Sequence, residues 1–222
     1  MGRQEEMKKL KLQYIVEKSE QLFKDKGYVS VTMDDVAKAC EYTKKTIYYY
    51  VTSKEELYVL VYIKGMKMRI EFLQAAVNQE QKGYCKLKAL VIAYYGFYKQ
   101  HPYILQHQLM GDVGFITEAN VNDEVADELN HFNRLGVDMV RDIVKLGLED
   151  KTLNSDLDWN LWYSFLLYTV RINVSRVLSG YVRLLDSEEI TEDVEGWYKY
   201  NIGILLKECA SKKTMDCMQE EL

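Results

Sequence analysis

Apolar residues recur at helical spacing near the start of the chain. Leu12, Ile15, Val16, Ser19, Leu22 and Phe23 form one stripe of a helix predicted over residues 5–26. Lys24 and Lys26 occupy its last turn, and Gly27 is suited to close it. Thr32 followed by Asp35 has the capping-box pattern, in which hydroxyl and carboxylate satisfy backbone N–H groups reciprocally. It predicts a short helix with Met33, Val36, Ala37 and Cys40 on its inner side. A break at Glu41 and Tyr42 precedes a second short helix, 43–50. Ser53 and Glu56 repeat the capping pattern ahead of a longer helix ending at about residue 79. Gly83 marks the next break. The aromatic-rich segment 84–100 then runs to His101-Pro102, where the ring of Pro102 pushes its predecessor out of helical conformation. Further helices are predicted over 103–109, 122–148, from the Ser155-Asp156-Leu157-Asp158 cap to about 185, and over 191–210. The Gly-containing stretch 111–117 reads as looser, and the polar tail 211–222 as frayed.

Composition supports an all-α fold. One Pro and 12 Gly are too few to punctuate many short strands. At 48% hydrophobic and 28% charged, the chain is globular in character. The net charge of −5 argues against a generic nucleic-acid coat, but its distribution is uneven. Up to Glu55 there are 11 Lys and Arg against 9 Asp and Glu; beyond it, 18 against 25. A mildly basic head on an acidic body suggests that only the head meets phosphate. Cys40, Cys85, Cys209 and Cys217 form no CxxC pair, and His101, His107 and His131 share no ligand spacing, so reduced thiols and no metal are expected. The polar, charged start does not read as a signal peptide. The longest apolar run, 159–178, is broken by Arg171, Asn173 and Arg176, so no membrane partner is expected.

Residues 32–57 carry the informative constellation. Two short helices separated by about three residues have helix-turn-helix spacing. Such a pair braces its second helix to enter the major groove, whose width admits an α-helix. The start of that helix reads Thr43-Lys44-Lys45-Thr46, which sets hydroxyls and ammoniums on the first turn, with Tyr48 and Tyr49 behind them and Lys54 at the next helix start. A solvated turn between ordinary core helices, with Ile47, Tyr50 and Leu57 as core, is the plainer alternative for this segment. The segment also resembles the DNA-binding signature of the TetR family of transcriptional regulators. The matching residues are Thr32, Val36-Ala37, Thr43-Lys44, Thr46-Ile47-Tyr48, Tyr50 and Ser53-Lys54-Glu55-Glu56-Leu57. Three positions depart from the family pattern. Glu41 stands at the usual turn Gly, and Lys45 at a small residue. Val51-Thr52 stands where Phe-Pro is common. If position 41 needs positive φ, strain of about 1 kcal/mol is expected there.

The resemblance implies a three-helix DNA-binding head over residues 1–52 and a helical ligand-binding and dimerisation domain over 53–222. It implies DNA contacts from Thr32, Thr43, Lys44, Lys45, Thr46, Tyr48, Tyr49 and Lys54. It also implies a cytoplasmic homodimer that represses from a palindromic double-stranded operator and answers to a small-molecule effector, without a cofactor. Tyr94, Tyr98, His107, Trp162 and Arg171 are the candidate effector contacts, within a wider aromatic set that includes Tyr95, Tyr103, Phe115, Tyr163 and Tyr168. Arg171 and Asn173 lie in an apolar helix, and a buried Arg needs either an internal carboxylate or an anionic ligand. Residues 161–178 are apolar around most of the helix, and Val194, Trp197, Asn201, Ile204 and Leu205 form a stripe on the last one. Phe165, Val177, Trp197, Asn201 and Ile204 are therefore the candidate dimer contacts. No nucleophile elbow, phosphate-cradling Gly loop or HExxH motif favours an enzyme. A protein partner in place of a small effector, and activation in place of repression, stay open.

Overall fold

The computed structural model describes residues 2–105, 121–179 and 194–215. The elements among them are α1 (Arg3–Lys26), α2 (Met33–Ala39), α3 (Lys44–Tyr50), α4 (Lys54–Val77), α5 (Gly83–Gln100), α6 (Asp123–Glu149), α7 (Trp159–Ser179) and α8 (Val194–Cys209). No strand forms among these residues; one antiparallel bridge joins Leu153 to Ala210. The chain is all-α, and the helix starts lie within a few residues of those read from the sequence. The start of the tail differs from expectation. Ser211 Oγ accepts from Thr214 N (3.2 Å), and Thr214 Oγ1 donates to Thr152 O (2.9 Å), which holds residues 212–215 in a helical turn. Residues 106–120, which include His107 and Phe115, lie outside the described residues, as does Cys217.

The head is built by its caps. Thr32 Oγ1 accepts from Asp35 N at 3.2 Å, while Asp35 Oδ2 accepts from the Thr32 amide (2.9 Å) and hydroxyl (2.6 Å). The Thr32 hydroxyl, its amide and the Lys26 ammonium hold the Asp35 carboxyl at about 2, so this cap stays ionised throughout the usual carboxylate range and is lost only as pH falls toward 2. Thr43 Oγ1 caps α3 by accepting from Thr46 N (3.1 Å).

Between α2 and α3, Tyr42 N donates to Ala37 O (2.9 Å) and Glu41 N to Lys38 O (3.2 Å). This is the Schellman pattern, which needs a left-handed residue after the helix, and Glu41 adopts φ 57°. The strain expected of a non-glycine at this turn is therefore present. Glu41→Gly should raise stability by about 1 kcal/mol and the melting temperature by roughly 2–4 °C, read by thermal unfolding. A decrease would mean that the glutamate side chain compensates for its backbone.

By compactness the chain forms two units: Met1–Met68 with Gln106–Arg134, and Arg69–Leu105 with Leu135–Leu222. The division drawn from the sequence at 52/53 falls inside the first. In that unit α1, α2 and α3 close on Ile15, Phe23, Val36, Ile47, Leu57 and Tyr58, all buried. Glu56 is buried there too, at 1% exposure. Ser53 Oγ accepts from Glu56 N (2.9 Å), as the second capping box predicts. The return contact differs, because the Glu56 carboxylate takes the Thr52 amide (3.2 Å), the Thr52 hydroxyl (2.7 Å) and the amide of Asn122 ahead of α6 (3.0 Å). A carboxylate removed from water needs several donors.

In the second unit α7 packs against both α5 and α8. Asp150 and Thr152 cap α5 by accepting from Gly83 N (2.8 Å) and Tyr84 N (3.0 Å). A Cβ on Gly83 would lie 2.1 Å from the Gly147 Cα, so the α5–α6 approach admits only glycine there. Among the described residues, no helix is long and apolar enough to cross a membrane.

Candidate nucleic-acid interface

The second helix of the motif, α3, divides cleanly. Ile47 faces inward at 0% exposure and Tyr50 is half-buried against the same core. Lys44, Lys45, Tyr48 and Tyr49 face outward, Tyr49 being 70% exposed. An isolated aromatic on a soluble surface is ordinary, but two adjacent tyrosines flanked by lysines on one helix face suit hydrogen bonding to phosphates and base edges.

The remaining candidates have local duties as well. Thr32 and Thr43 spend their hydroxyls on caps, and the Thr46 hydroxyl lies 2.8 Å from that of Thr43. The Lys44 ammonium sits 2.8 Å from Asp34, which raises its pKa through hydrogen bonding and charge. Both partners are exposed, so the pair is screened and can give way to a phosphate. Lys45 is exposed, and no carboxylate among the described residues engages it. The Lys54 ammonium lies 4.2 Å from the centroid of the Tyr28 ring and 3.4 Å from Val29 O. Tyr28 in turn donates to Glu55 Oε1 (2.9 Å), and its pKa is pushed up by burial and by that carboxylate. Lys54 is thus held at a fixed place beside the head.

One neighbour of α3 was not read from the sequence. The Lys8 ammonium of α1 lies 5.7 Å from the Tyr49 ring centroid, in a cleft of about 370 Å³ that Lys11 also lines. The only signal for it was the local run of lysines, since the pairing of α1 with α3 is set by the tertiary fold.

A family model described as bacterial regulatory proteins of the tetR family matches residues 15–61, which span the last three turns of α1 to the start of α4. The HTH-type transcriptional activator FasR of Mycolicibacterium smegmatis is 25% identical over 149 residues, covering 63% of this chain and 67% of FasR. The fold is shared with the transcriptional regulator FadR of Bacillus subtilis in complex with stearoyl-CoA (TM-score 0.63, 15% identity, 88% of this chain and 98% of that one). It is shared too with AibR in complex with isovaleryl coenzyme A and operator DNA (TM-score 0.61, 17% identity, 88% and 98%). Over residues 15–61 the chain is thus similar to TetR-family transcriptional regulators.

The body residues separate into inward and outward sets. Tyr98 is fully buried, accepts from Arg69 Nη1 at 2.9 Å and reaches the Tyr94 hydroxyl at 3.5 Å. Burial and the neighbouring tyrosine push the Tyr98 pKa well up. Arg69 was not singled out from the sequence, because its segment reads as an ordinary amphipathic helix. Trp162 is buried and donates its indole N–H to Leu205 O (3.3 Å), which commits that donor to the α7–α8 contact. The Arg171 and Val177 side chains, like His107, lie outside the described residues.

The face of α7 that packs inward carries Trp162, Leu166, Val170 and Val174, whereas Leu161, Phe165, Tyr168 and Ile172 are exposed, Phe165 by 61%. On α8, Tyr200 and Ile204 are exposed, and Trp197 and Asn201 are half-buried. Asn201 donates to Trp197 O (2.8 Å). Leu205, read from the sequence as part of the same stripe, is buried within the unit, because one turn of α8 brings it round to Trp162.

Proposed function

We propose that the protein is a repressor that grips a palindromic operator as a homodimer and releases it on binding a small anionic effector, an acyl-CoA thioester. The observation that carries the DNA part is the outward face of α3, where Lys45, Tyr48 and Tyr49 stand clear of a helix locked by buried Ile47. Thr32, Thr43, Lys44, Thr46 and Lys54 complete the contact set, with the threonines fixing backbone register and the lysines meeting phosphate. The dimer reading is supported by the exposed apolar face of α7 and α8. Patches of that kind on helices already packed on their other side mark association surfaces. A two-fold pair of heads matches a two-fold operator.

The effector class is supported by the two structural neighbours solved with acyl-CoA. A guanidinium set beside Tyr98 and Tyr94 in an aromatic surround is suited to an anionic headgroup. Tyr94, Tyr98, His107, Trp162 and Arg171 are the proposed effector contacts. Such an effector would act by binding the DNA-incompetent arrangement more tightly than the competent one. The reading is that of a regulator and not an enzyme.

The test is fluorescence anisotropy on duplex DNA from upstream of the protein's own gene, with stearoyl-CoA, isovaleryl-CoA or free CoA added. Specific binding abolished by an acyl-CoA and not by CoA supports the whole reading. Binding unaffected by either thioester overturns the effector class. Tyr49→Ala and Lys45→Ala should each weaken operator binding about tenfold or more, equivalent to roughly 1–3 kcal/mol per contact, without changing the melting temperature. Unchanged affinity in both would remove α3 from the groove. Higher transcript levels from the target promoter when the protein is present would make it an activator, as its FasR relative is described.

A further inference from the structure

The first two turns of α1 have no core to pack on. Every residue from Arg3 to Lys11 is exposed, and the inward stripe begins only at Leu12 and Ile15. At 1.5 Å per residue, about 13 Å of helix extends past the first core contact. Its large apolar residues, Met7 and Leu10, are themselves exposed, which leaves little tertiary reason for the helix to persist, yet it is capped, with Gly2 N donating to Glu5 Oε2 (3.2 Å). Its side chains form a cleft of about 370 Å³ against α3, lined by Gln4, Glu5, Lys8, Lys11, Tyr49 and Tyr50 among others. Lys8 and Lys11 are three residues apart and therefore on one side of the helix. No carboxylate in the described structure pairs with either, while Glu5, the acid in the cleft, is turned to the Gly2 amide. The Lys8 ammonium is 5.7 Å from the ring of Tyr49, the most exposed aromatic of the reading helix.

We propose that Lys8 and Lys11 form a second phosphate-gripping surface, which holds the DNA backbone bordering the groove that α3 enters and steadies Tyr49 beside it. The proposal rests on α3 being the helix that meets DNA. A helix in the major groove carries its outward side chains between two phosphate walls. Ammoniums lying just beyond Tyr49 on an adjoining helix then face one of those walls. Contacts of this kind carry no base information, so they strengthen binding to all duplexes and orient the head on the correct one.

The experiment compares wild type with K8Q/K11Q and K8R/K11R on the operator and on a scrambled duplex, over a series of salt concentrations. Each lysine that neutralises a phosphate adds about 0.9 to the slope of log K against log salt. The expected result for K8Q/K11Q is a slope shallower by about 2, with binding weakened by a similar factor on both duplexes. K8R/K11R should keep the wild-type slope, which separates a charge contact from loss of packing, and melting temperatures should match because both positions are exposed. Wild-type binding with an unchanged K8Q/K11Q slope overturns this proposal and leaves the α3 reading intact. A wild-type protein with no salt-dependent DNA binding overturns both.

Discussion

Phe165→Asp combined with Ile204→Asp is expected to convert the proposed dimer to a monomer at micromolar concentration and to lower its operator affinity at least 100-fold. Phe165 and Ile204 are exposed large hydrophobics, on α7 and α8 respectively. In a two-fold interface each substitution appears twice, because the same patch faces itself. Burying an unpaired carboxylate against apolar groups costs several kcal/mol, and the pair of apolar side chains is lost as well. Even about 3 kcal/mol per protomer doubles to about 6, or roughly four orders of magnitude in the dimer constant. The protomer should fold normally, since the inward face of α7, from Trp162 to Val174, is untouched. Sedimentation velocity and operator anisotropy read the two effects. A dimer that survives with full operator affinity would mean that another face joins the subunits. An unfolded variant, seen by circular dichroism, would be replaced by the single substitutions at the same two positions.

Glu56→Ala should cost about 3 kcal/mol of stability, a large share of the 5–15 kcal/mol of a typical domain. The cost arises from what is left behind. The Thr52 amide, the Thr52 hydroxyl and the Asn122 amide all donate to this carboxylate, and at 1% exposure no water can replace it without rearrangement. Glu56→Gln should recover part of the loss, because one amide oxygen can still accept while its NH2 meets further donors. Urea unfolding followed by circular dichroism measures both. A loss for Glu56→Ala below about 0.5 kcal/mol would mean that the three donors find other acceptors. Thr52 follows α3 and Asn122 precedes α6, so damage here should also loosen the reading helix and weaken DNA binding.

The head was legible because its determinants are local. Thr32 with Asp35, Thr43 ahead of α3 and the non-glycine turn at Glu41 each involve groups within five residues, and each was read at the right position. The Glu56 carboxylate was only half legible. Its amide contact with Ser53 is local, whereas its contact with Asn122 joins residues 66 apart, and no capping pattern encodes that. Lys8 beside Tyr49 and Arg69 beside Tyr98 were missed for the same reason.

The helix now called α7 shows the boundary most clearly. Its sequence is apolar on almost every side, which predicts burial on two faces but cannot order them. Packing against α5 and α8 assigned Trp162, Leu166, Val170 and Val174 to the interior and left Phe165 and its neighbours outside. Hydrophobic periodicity and capping, which act within a few turns of chain, were enough for the sequence alone to determine the helices and the helix-turn-helix spacing, and the motif over residues 32–57 carried the family resemblance. The partner of each face and each buried polar group was decided only by the tertiary structure, because contacts between distant segments depend on how helices cross and not on spacing along one of them.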